Sequence, residues 1–206
     1  LYNTQYGLRG TLQTKYLYDT KTLQVAEEHV GSHPIYRVRA ITRAYEQYTG
    51  MASRHMLAQV ARENVYEHDA ITGAKTYHGA SVTKWNTFGS LWLPYQSLVW
   101  NTTIPTSAPP AFTAWGATSP IPTGWLLSSQ TMTADTHGNA TQLKLANDKL
   151  LDVAYPSAYD YALPATYTLR FGSAPSSQDL TTQIAYDALR NVSSVTDEGG
   201  AVRKFL

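Results

Sequence analysis

The sequence predicts an all-β protein made of consecutive antiparallel hairpins. Only 15% of its 206 residues are charged, whereas Tyr (15) and Thr are abundant, and such a composition suits a pleated, half-buried surface. Short turn signatures recur, with Asp or Asn followed three residues later by Gly. Alternating apolar and polar residues flank these turns, which is the period of a strand. We therefore expect residues 1–206 to be one segment of tandem hairpins that forms part of a β-strip.

The turn signatures have a physical basis in side-chain and backbone chemistry. An Asx side chain at the first position accepts backbone N–H bonds, and Gly at the last adopts a positive φ at little cost. The signatures are Asn86–Gly89, Asp135–Gly138 and Asp197–Gly200, with a longer form at Asp69–Gly73 and Tyr-Asp starts at Tyr18-Asp19 and Tyr186-Asp187. Several such turns between β-rich runs favour a repeated hairpin.

Strands are predicted on both sides of these turns. The predicted strands are Gly79–Trp85, Leu91–Trp100, Gln130–Ala134, Ala140–Leu145 and the alternating run Ala201–Leu206. Residues Met51–Tyr66 leave two alternatives open. Met56, Leu57, Val60 and Ala61 fit one face of a helix, but the stripe does not continue to Tyr66, so a strand pair is favoured.

Two stretches interrupt the pattern, and both are rich in proline. Thr102–Gly124 contains five prolines among small residues, and because proline cannot donate to a sheet ladder, a long loop or insertion is expected there. Tyr155–Gly172 contains Pro156 and Pro164 with several aromatics, and is expected to be a loop packed by its own rings. The chain begins without Met and stops in an unclosed strand, so we expect an excerpt of a longer polypeptide.

The C-terminal region carries a family resemblance. Tyr186-Asp187-Ala188-Leu189-Arg190-Asn191-Val192, followed by a second turn at Asp197–Gly200, resembles the Rhs or YD-repeat family. Asp135–Thr141 matches the same turn without its tyrosine, and Tyr18–Leu23 and Asn86–Gly89 match fairly. Arg190 stands where the family prefers Gly, so this turn either differs locally or holds Arg190 in a left-handed conformation.

The resemblance implies a structural role in a secreted or cell-surface protein. In that family a β-strip is wound into a hollow shell that encloses a toxic segment, or serves adhesion in animal relatives. The partners would be neighbouring repeats and an enclosed toxic segment. The motif residues Tyr18, Asp19, Asn86, Gly89, Asp135, Gly138, Tyr186, Asp187, Asp197 and Gly200 would be structural, with tyrosines stacked along the strip and Asp residues holding the turns.

No pattern in the sequence predicts catalysis, a metal site or a cofactor. The chain has no Cys and a net charge of +1, which offers no thiolate chemistry and no field for nucleic acid. His29 and His33 have i, i+4 spacing, but Gly31 and Pro34 oppose the helix that would align them. Carboxylate pairs such as Glu27-Glu28 lack a companion nucleophile. The group Arg37, Arg39 and Arg43 indicates a solvated strand face, and no apolar run is long enough to span a bilayer.

The aromatic residues support an alternative function. Trp85, Trp92, Trp100, Trp115 and Trp125 fall within one stretch of the chain, 85–125. If these rings are exposed, they would form an adhesive or glycan-binding platform. Burial is favoured, because large aromatics dominate the interiors of β-proteins.

Overall fold

The fold is all-β, as predicted. The computed structural model describes residues 4–6, 12–101, 108–172 and 175–205, and in that part the strands pair in chain order, from β1 to β14. The strands are β1 Thr4–Tyr6, β2 Gln13–Tyr18, β3 Val25–Ser32, β4 Ile35–Arg43, β5 Val60–Asp69, β6 Lys75–Phe88, β7 Leu91–Trp100, β8 Trp125–Ala134, β9 Ala140–Leu145, β10 Leu150–Ala154, β11 Thr166–Arg170, β12 Leu180–Tyr186, β13 Val192–Thr196 and β14 Val202–Lys204.

Helical structure is confined to single turns. The short helix α1 spans Thr49–Ala52, and 3-10 helices span Ala44–Glu46 and Ser157–Tyr159. The stretch Met51–Tyr66 therefore contains one helical turn at its start and a strand from Val60 onwards, rather than a strand pair. No helix among the described residues has the length and apolar character needed to cross a membrane.

Two predicted boundaries are wrong for local reasons. Asn86 lies inside β6, and the turn consists of Gly89 and Ser90, with Gly89 at a φ of 61°. The two-residue hairpin needs its positive φ at Gly89, so Asn86 does not open a turn. The predicted loop Tyr155–Gly172 ends early, because the alternating, β-branched run after Pro164 forms β11.

Arg43 is buried, in contrast to the prediction of a solvated Arg37, Arg39 and Arg43 face. A register shift between Thr42 and Arg43 moves its side chain out of the alternation. Its guanidinium donates to the carbonyl oxygens of Ala58 (2.7 Å) and Val25 (2.6 Å). Arg39 remains exposed and pairs with Glu63 at 2.7 Å.

The described chain forms two compact units. The first contains residues 1–86 and 96–127, and the second contains residues 87–95 and 128–206. The first unit holds a core of Val82, Leu98, Phe112 and Trp125, against which Ile121 and Leu127 also pack.

The proline-rich segment supplies part of this first core. Residues 102–107 of the predicted loop lie outside the described residues; the remainder, 108–124, forms no strand or helix. Phe112 in this segment contacts Trp125 edge-on, with ring centroids 5.4 Å apart. Lys84 of β6 is fully buried, and its ammonium donates to the Ser119 carbonyl oxygen at 3.0 Å. The segment is therefore packed onto the sheet rather than extended from it.

The second unit has one apolar and one polar sheet face. Leu143, Leu151 and Leu169 are register partners in one row, and alternation places them on the same face. On the other face Gln142 donates to Asp152 at 2.8 Å, and Asp152 also pairs with Arg170. Alternate residues of these strands point to opposite faces of the sheet. The alternation of Leu with polar residues in β9, β10 and β11 therefore favours strand structure.

Candidate functional site

The Asp-centred hairpin turns are the most regular feature of the described chain. In the β8–β9 turn the Asp135 side-chain Oδ1 accepts the backbone N–H groups of His137 (2.8 Å) and Asn139 (2.9 Å). The backbone closes the turn, since Gly138 N–H donates to the Asp135 carbonyl and Asp135 N–H to the Asn139 carbonyl. Gly138 takes a φ of 91°. One carboxylate thus satisfies two N–H groups that the ladder leaves unpaired.

The two C-terminal turns repeat this pattern. Asp187 Oδ1 accepts the N–H groups of Leu189 (2.9 Å) and Asn191 (2.8 Å). Asp197 Oδ1 accepts those of Gly199 (3.0 Å) and Ala201 (2.9 Å). The left-handed position that Gly occupies at 138 and 200 is held by Arg190, with a φ of 67°. Of the two alternatives for Arg190, the structure has the left-handed one.

A six-residue version of the turn occurs twice in the first unit. Asp19 Oδ1 accepts the N–H groups of Lys21 (2.7 Å) and Thr22 (2.8 Å), and the left-handed residue is Leu23. Asp69 Oδ1 bonds the N–H groups at Ile71 (2.8 Å) and Thr72 (3.2 Å) in the same way. In both turns the Thr hydroxyl then accepts the N–H two residues further on. The Thr at position 22 therefore has a role of its own.

One turn of this backbone shape was missed by the sequence reasoning. Leu145–Lys149 joins β9 to β10, with Asp148 N–H donating to the Leu145 carbonyl and Asp148 at a φ of 63°. Leu occupies the position that Asp holds elsewhere, so the search for an Asx start could not find it. The signal that could have found it is Asn147-Asp148, since these residues tolerate the left-handed region.

The hydrogen bonds of two turns favour the ionised form of the carboxylate, at Asp135 and at Asp187. The Asn139 and His137 N–H bonds outweigh the effect of burial and lower the pKa of Asp135. At Asp187 the leading cause of a lowered pKa is the Asn191 N–H bond. Hydrogen bonds to the charged form favour that form. The turns at Asp135 and Asp187 are therefore more stable with the carboxylate ionised.

Turns on the same edge of the first unit bond to one another. Because successive strands run in opposite directions, the β2–β3 turn and the β4–β5 connection lie at the same end of the strands. There the Tyr45 hydroxyl donates to Asp19 Oδ2 at 2.8 Å. Burial and this bond raise the pKa of Tyr45 to about 12. On the opposite edge, Ala70 N–H donates to the Pro34 carbonyl at 2.8 Å. In this part of the first unit, two pairs of alternate connections are thus joined by hydrogen bonds.

The second unit uses the same device with more aromatic rings. Asn139 Nδ2 donates to the Tyr161 carbonyl at 2.7 Å, while the rings of His137 and Tyr161 stack at 4.3 Å and 11°. Tyr186 meets Tyr159 edge-on at 5.0 Å. Its hydroxyl donates to the Pro164 carbonyl at 2.8 Å. The β10–β11 connection is therefore attached to the turns on both sides of it.

The other motif tyrosine has a looser environment. Tyr18 ends β2 and remains partly exposed, with its ring centroid 6.4 Å from that of Tyr16. The motif residues Asp19, Asp135, Asp187 and Asp197 each lie in a separate hairpin turn, whereas Asn86 lies inside β6.

Of the tryptophans in residues 85–125, Trp125 is buried and the other four are half-buried. Trp125 is 4% exposed, and Trp100 and Trp115 pack against the first core. Trp85 donates its ring N–H to the Val60 carbonyl at 3.0 Å, and Trp92 is half-buried. The favoured burial thus holds fully for Trp125 and in part for the other four rings.

His29 and His33 lie in different parts of the β3–β4 hairpin. His29 Nε2 lies 2.8 Å from Glu27 Oε2, whereas His33 lies in the β3–β4 turn beside Pro34. Within the residues that the structure describes, no group of three or more metal-binding side chains occurs.

The fold and these turns define a class, namely an all-β protein of tandem hairpins whose edge connections are bonded to each other. Neither a protein-family model nor a curated protein matches the chain.

Proposed function

We propose that this chain is a structural segment of a secreted Rhs-type protein, in which it forms part of the wall of a shell around a toxic or effector segment. The observation that carries the proposal is the hydrogen bonding between alternate connections, which occurs in both units, at Tyr45–Asp19 and at Asn139–Tyr161. Each of these bonds joins two connections that are separated by one intervening hairpin in the chain, and neither bond requires a second sheet.

The strand order supports a wall because it can be extended. Each described strand pairs with its chain neighbours, so a further hairpin adds to the sheet without rearranging it. Repeat proteins are stabilised in the same way, by contacts between nearest neighbours. The bonds Tyr45–Asp19 and Asn139–Tyr161 add second-neighbour contacts, which resist shear between hairpins.

The surface chemistry also suits a wall that does not bind its contents tightly. The polar face of the second unit contains Thr168 and Thr181, whose hydroxyls bond to each other at 3.1 Å. Its Asp152 carboxylate is bonded by Gln142 and paired with Arg170. Polar groups that are already bonded within the sheet gain little by bonding to an unfolded polypeptide.

The proposal is tested by electron microscopy and limited proteolysis of the full-length protein as its source produces it. We expect a hollow particle and an enclosed segment that resists protease. Phe112→Ala, which weakens the first core, should increase digestion of that segment, whereas Phe171→Ala at an exposed position should not. A solid particle, or a segment digested equally in all three proteins, would contradict the proposal.

Adhesion through the tryptophans is the competing function, and a glycan array distinguishes it. Trp92→Ala and Trp115→Ala should lower stability without removing a ligand, because Trp92 is half-buried and Trp115 packs against the first core. Loss of glycan binding with unchanged stability would instead favour adhesion.

A further inference from the structure

A row of leucines crosses the apolar sheet face of the second unit. Leu143, Leu151, Leu169 and Leu180 are register partners in the four neighbouring strands β9 to β12. Alternation within each strand places their side chains on one face. Leu180 is 39% exposed, and the other three are half-buried. Contiguous apolar side chains that remain accessible to solvent are typical of an interaction surface.

An exposed ring and a cation lie at one end of this row. Phe171 follows Leu169 by two residues and is 47% exposed, and the Lys149 ammonium lies 4.0 Å from the centroid of its ring. A ring attracts a cation without neutralising its charge. The neighbouring turn carboxylate, Asp148, is paired with Lys144 at 2.7 Å. The leucine row therefore ends beside a positive charge.

The same face has no carboxylate in its strands. Strands β9 to β14 contain one carboxylate, Asp152, which lies on the opposite face and pairs with Arg170. Register pairing of Ile184 with Val195, and of Val195 with Arg203, places the exposed Arg203 on the face of the leucines. With Lys149 at a strand end and Arg203 on the last strand, this face is complementary to a partner with acidic groups.

The first unit shows what covers an apolar face of this kind of sheet. Its core residues Val82, Leu98 and Trp125 are packed against Phe112 and Ile121. Both of these covering residues belong to residues 108–124, which form no strand or helix. A segment without regular structure, which inserts a ring and an aliphatic side chain, is therefore sufficient to cover such a face.

The size and charge of the face favour a single segment over a second copy of the chain. At the usual strand spacing and rise per residue, strands β9 to β14 span roughly 500 Å², whereas a stable interface buries about 800 Å² on each partner. A second copy that used the same face would bring the same two cations and no strand carboxylate to the contact.

We propose that the leucine row of the second unit binds a segment of a partner protein that has no regular structure and carries apolar side chains next to an acidic residue. The apolar side chains pack on Leu151, Leu169 and Leu180, and the carboxylate pairs with Lys149. The site is separate from the Asp-centred turns and does not depend on the proposed wall function.

Selection from a phage-displayed library of random linear peptides tests the site, with the full chain as the bait and with peptides as long as residues 108–124. We expect the enriched peptides to combine aromatic or aliphatic residues with Asp or Glu. Fluorescence anisotropy of one enriched peptide, titrated with the chain, then gives its dissociation constant.

Two variants with matched controls locate the binding. Leu180→Asp should raise the dissociation constant about tenfold or more, because an unpaired carboxylate would be buried under the peptide, whereas Leu189→Asp in an exposed turn should not. Lys149→Glu should raise it about tenfold by reversing the charge beside the peptide carboxylate. Lys204→Glu, the same change on the opposite face, should leave it unaltered.

The outcomes that would overturn the site are distinct from one another. Absence of enriched peptides, or enriched peptides without acidic residues, would remove the proposed partner. Binding that is unchanged in both Leu180→Asp and Lys149→Glu would place the peptide elsewhere. Because these variants act through apolar contact and through charge, a folding defect in one, detected by circular dichroism, leaves the other as the test.

Two further measurements exclude other occupants of the face. A wild-type dimer in analytical ultracentrifugation that dissociates in Leu180→Asp would assign the face to a second copy. Sedimentation with anionic phospholipid vesicles that is lost in Leu180→Asp would assign it to a membrane surface. Either result would overturn the proposal, and a monomer that does not bind vesicles would support it.

Discussion

The two compact units build the same kind of sheet but stabilise it differently. All but one of the buried apolar side chains among the described residues belong to the first unit, and the exception is Val153. The first unit packs residues 108–124 onto its sheet, and the second has no comparable covering segment among its described residues. Among the described residues, the first unit therefore combines an apolar core with bonds between its strand connections, whereas the second depends mainly on such bonds.

The covering segment of the first unit is held by polar bonds as well as by packing. The Tyr48 hydroxyl donates to the Trp115 carbonyl at 2.9 Å and accepts the Trp85 N–H at 3.0 Å. These bonds satisfy backbone groups that a buried loop would otherwise leave unpaired. In the second unit, aromatic rings instead form contacts between strand connections, as in the His137–Tyr161 and Tyr159–Tyr186 pairs.

The largest expected effect comes from removing a core ring of the first unit. Phe112→Ala should lower the free energy of unfolding by about 3–5 kcal/mol, the range for large aromatic truncations, because Phe112 contacts both Trp115 and Trp125. Urea denaturation followed by tryptophan fluorescence measures it. Phe171→Ala in the second unit is the control, since Phe171 is 47% exposed. Equal losses in both variants would remove the distinction between the units.

The second-largest loss of stability is expected from removing a turn carboxylate of the second unit. Asp135→Ala should cost about 2 kcal/mol, because two backbone N–H bonds and the Asn139 amide bond to a charged acceptor are lost. Amide hydrogen exchange at His137 and Asn139 should accelerate in the variant. Asp148→Asn is the control, since the Asp148 side chain is 82% exposed, its ion pair with Lys144 is a surface pair of little net worth, and Asn tolerates its positive φ. An unchanged stability would show that the backbone alone sets these turns.

The same turn predicts an acid dependence whose sign follows from the lowered pKa of Asp135. The ionised Asp135 carboxylate contributes fully to the free energy of unfolding above its unfolded-state pKa of about 3.9. This contribution is lost as the pH falls through the lower folded-state pKa. The stability difference between the wild type and Asp135→Ala should therefore shrink below pH 4. A difference that stays constant down to pH 2 would contradict this.

Lys84 should make the free energy of unfolding depend on pH in the alkaline range. Burial lowers the pKa of its ammonium below the usual 10.5, so between the two values the unfolded state binds more protons and stability rises with pH. The slope is at most about 1.4 kcal/mol per pH unit, and it should be absent in Lys84→Met. Urea titrations of both proteins from pH 8 to pH 10 provide the comparison, and parallel curves would show that Lys84 does not titrate there.

The smallest expected effect is at Arg190. Arg190→Gly removes a side chain from a left-handed position, which should stabilise the protein by about 1 kcal/mol. The same change removes the exposed ion pair with Asp160, which should destabilise it by at most about 1 kcal/mol. Thermal unfolding should show a change within 1 kcal/mol. Gly138→Arg, the reverse change in the Asp135 turn, should be clearly destabilising, because a Cβ there lies 3.1 Å from Leu91. A large loss in Arg190→Gly would mean that the ion pair is essential.

The sequence by itself determined the fold class and much of the turn chemistry. Alternation of side chains and the local bonds of Asp, Thr and Gly act over a few residues, so they can be read from the chain, and Leu91–Trp100 and Ala140–Leu145 were predicted with their observed ends. Arg190 was recognised as an exception for the same reason.

Only the tertiary structure decided how distant segments meet. The burial of Arg43 depends on a register shift, and the packing of Phe112 depends on residues 108–124 folding back onto the sheet. The bond from Tyr45 to Asp19 joins residues 26 positions apart. Such contacts are set by the pairing of strands and by the shape of the surface they create, and neither is encoded in the local pattern of residues.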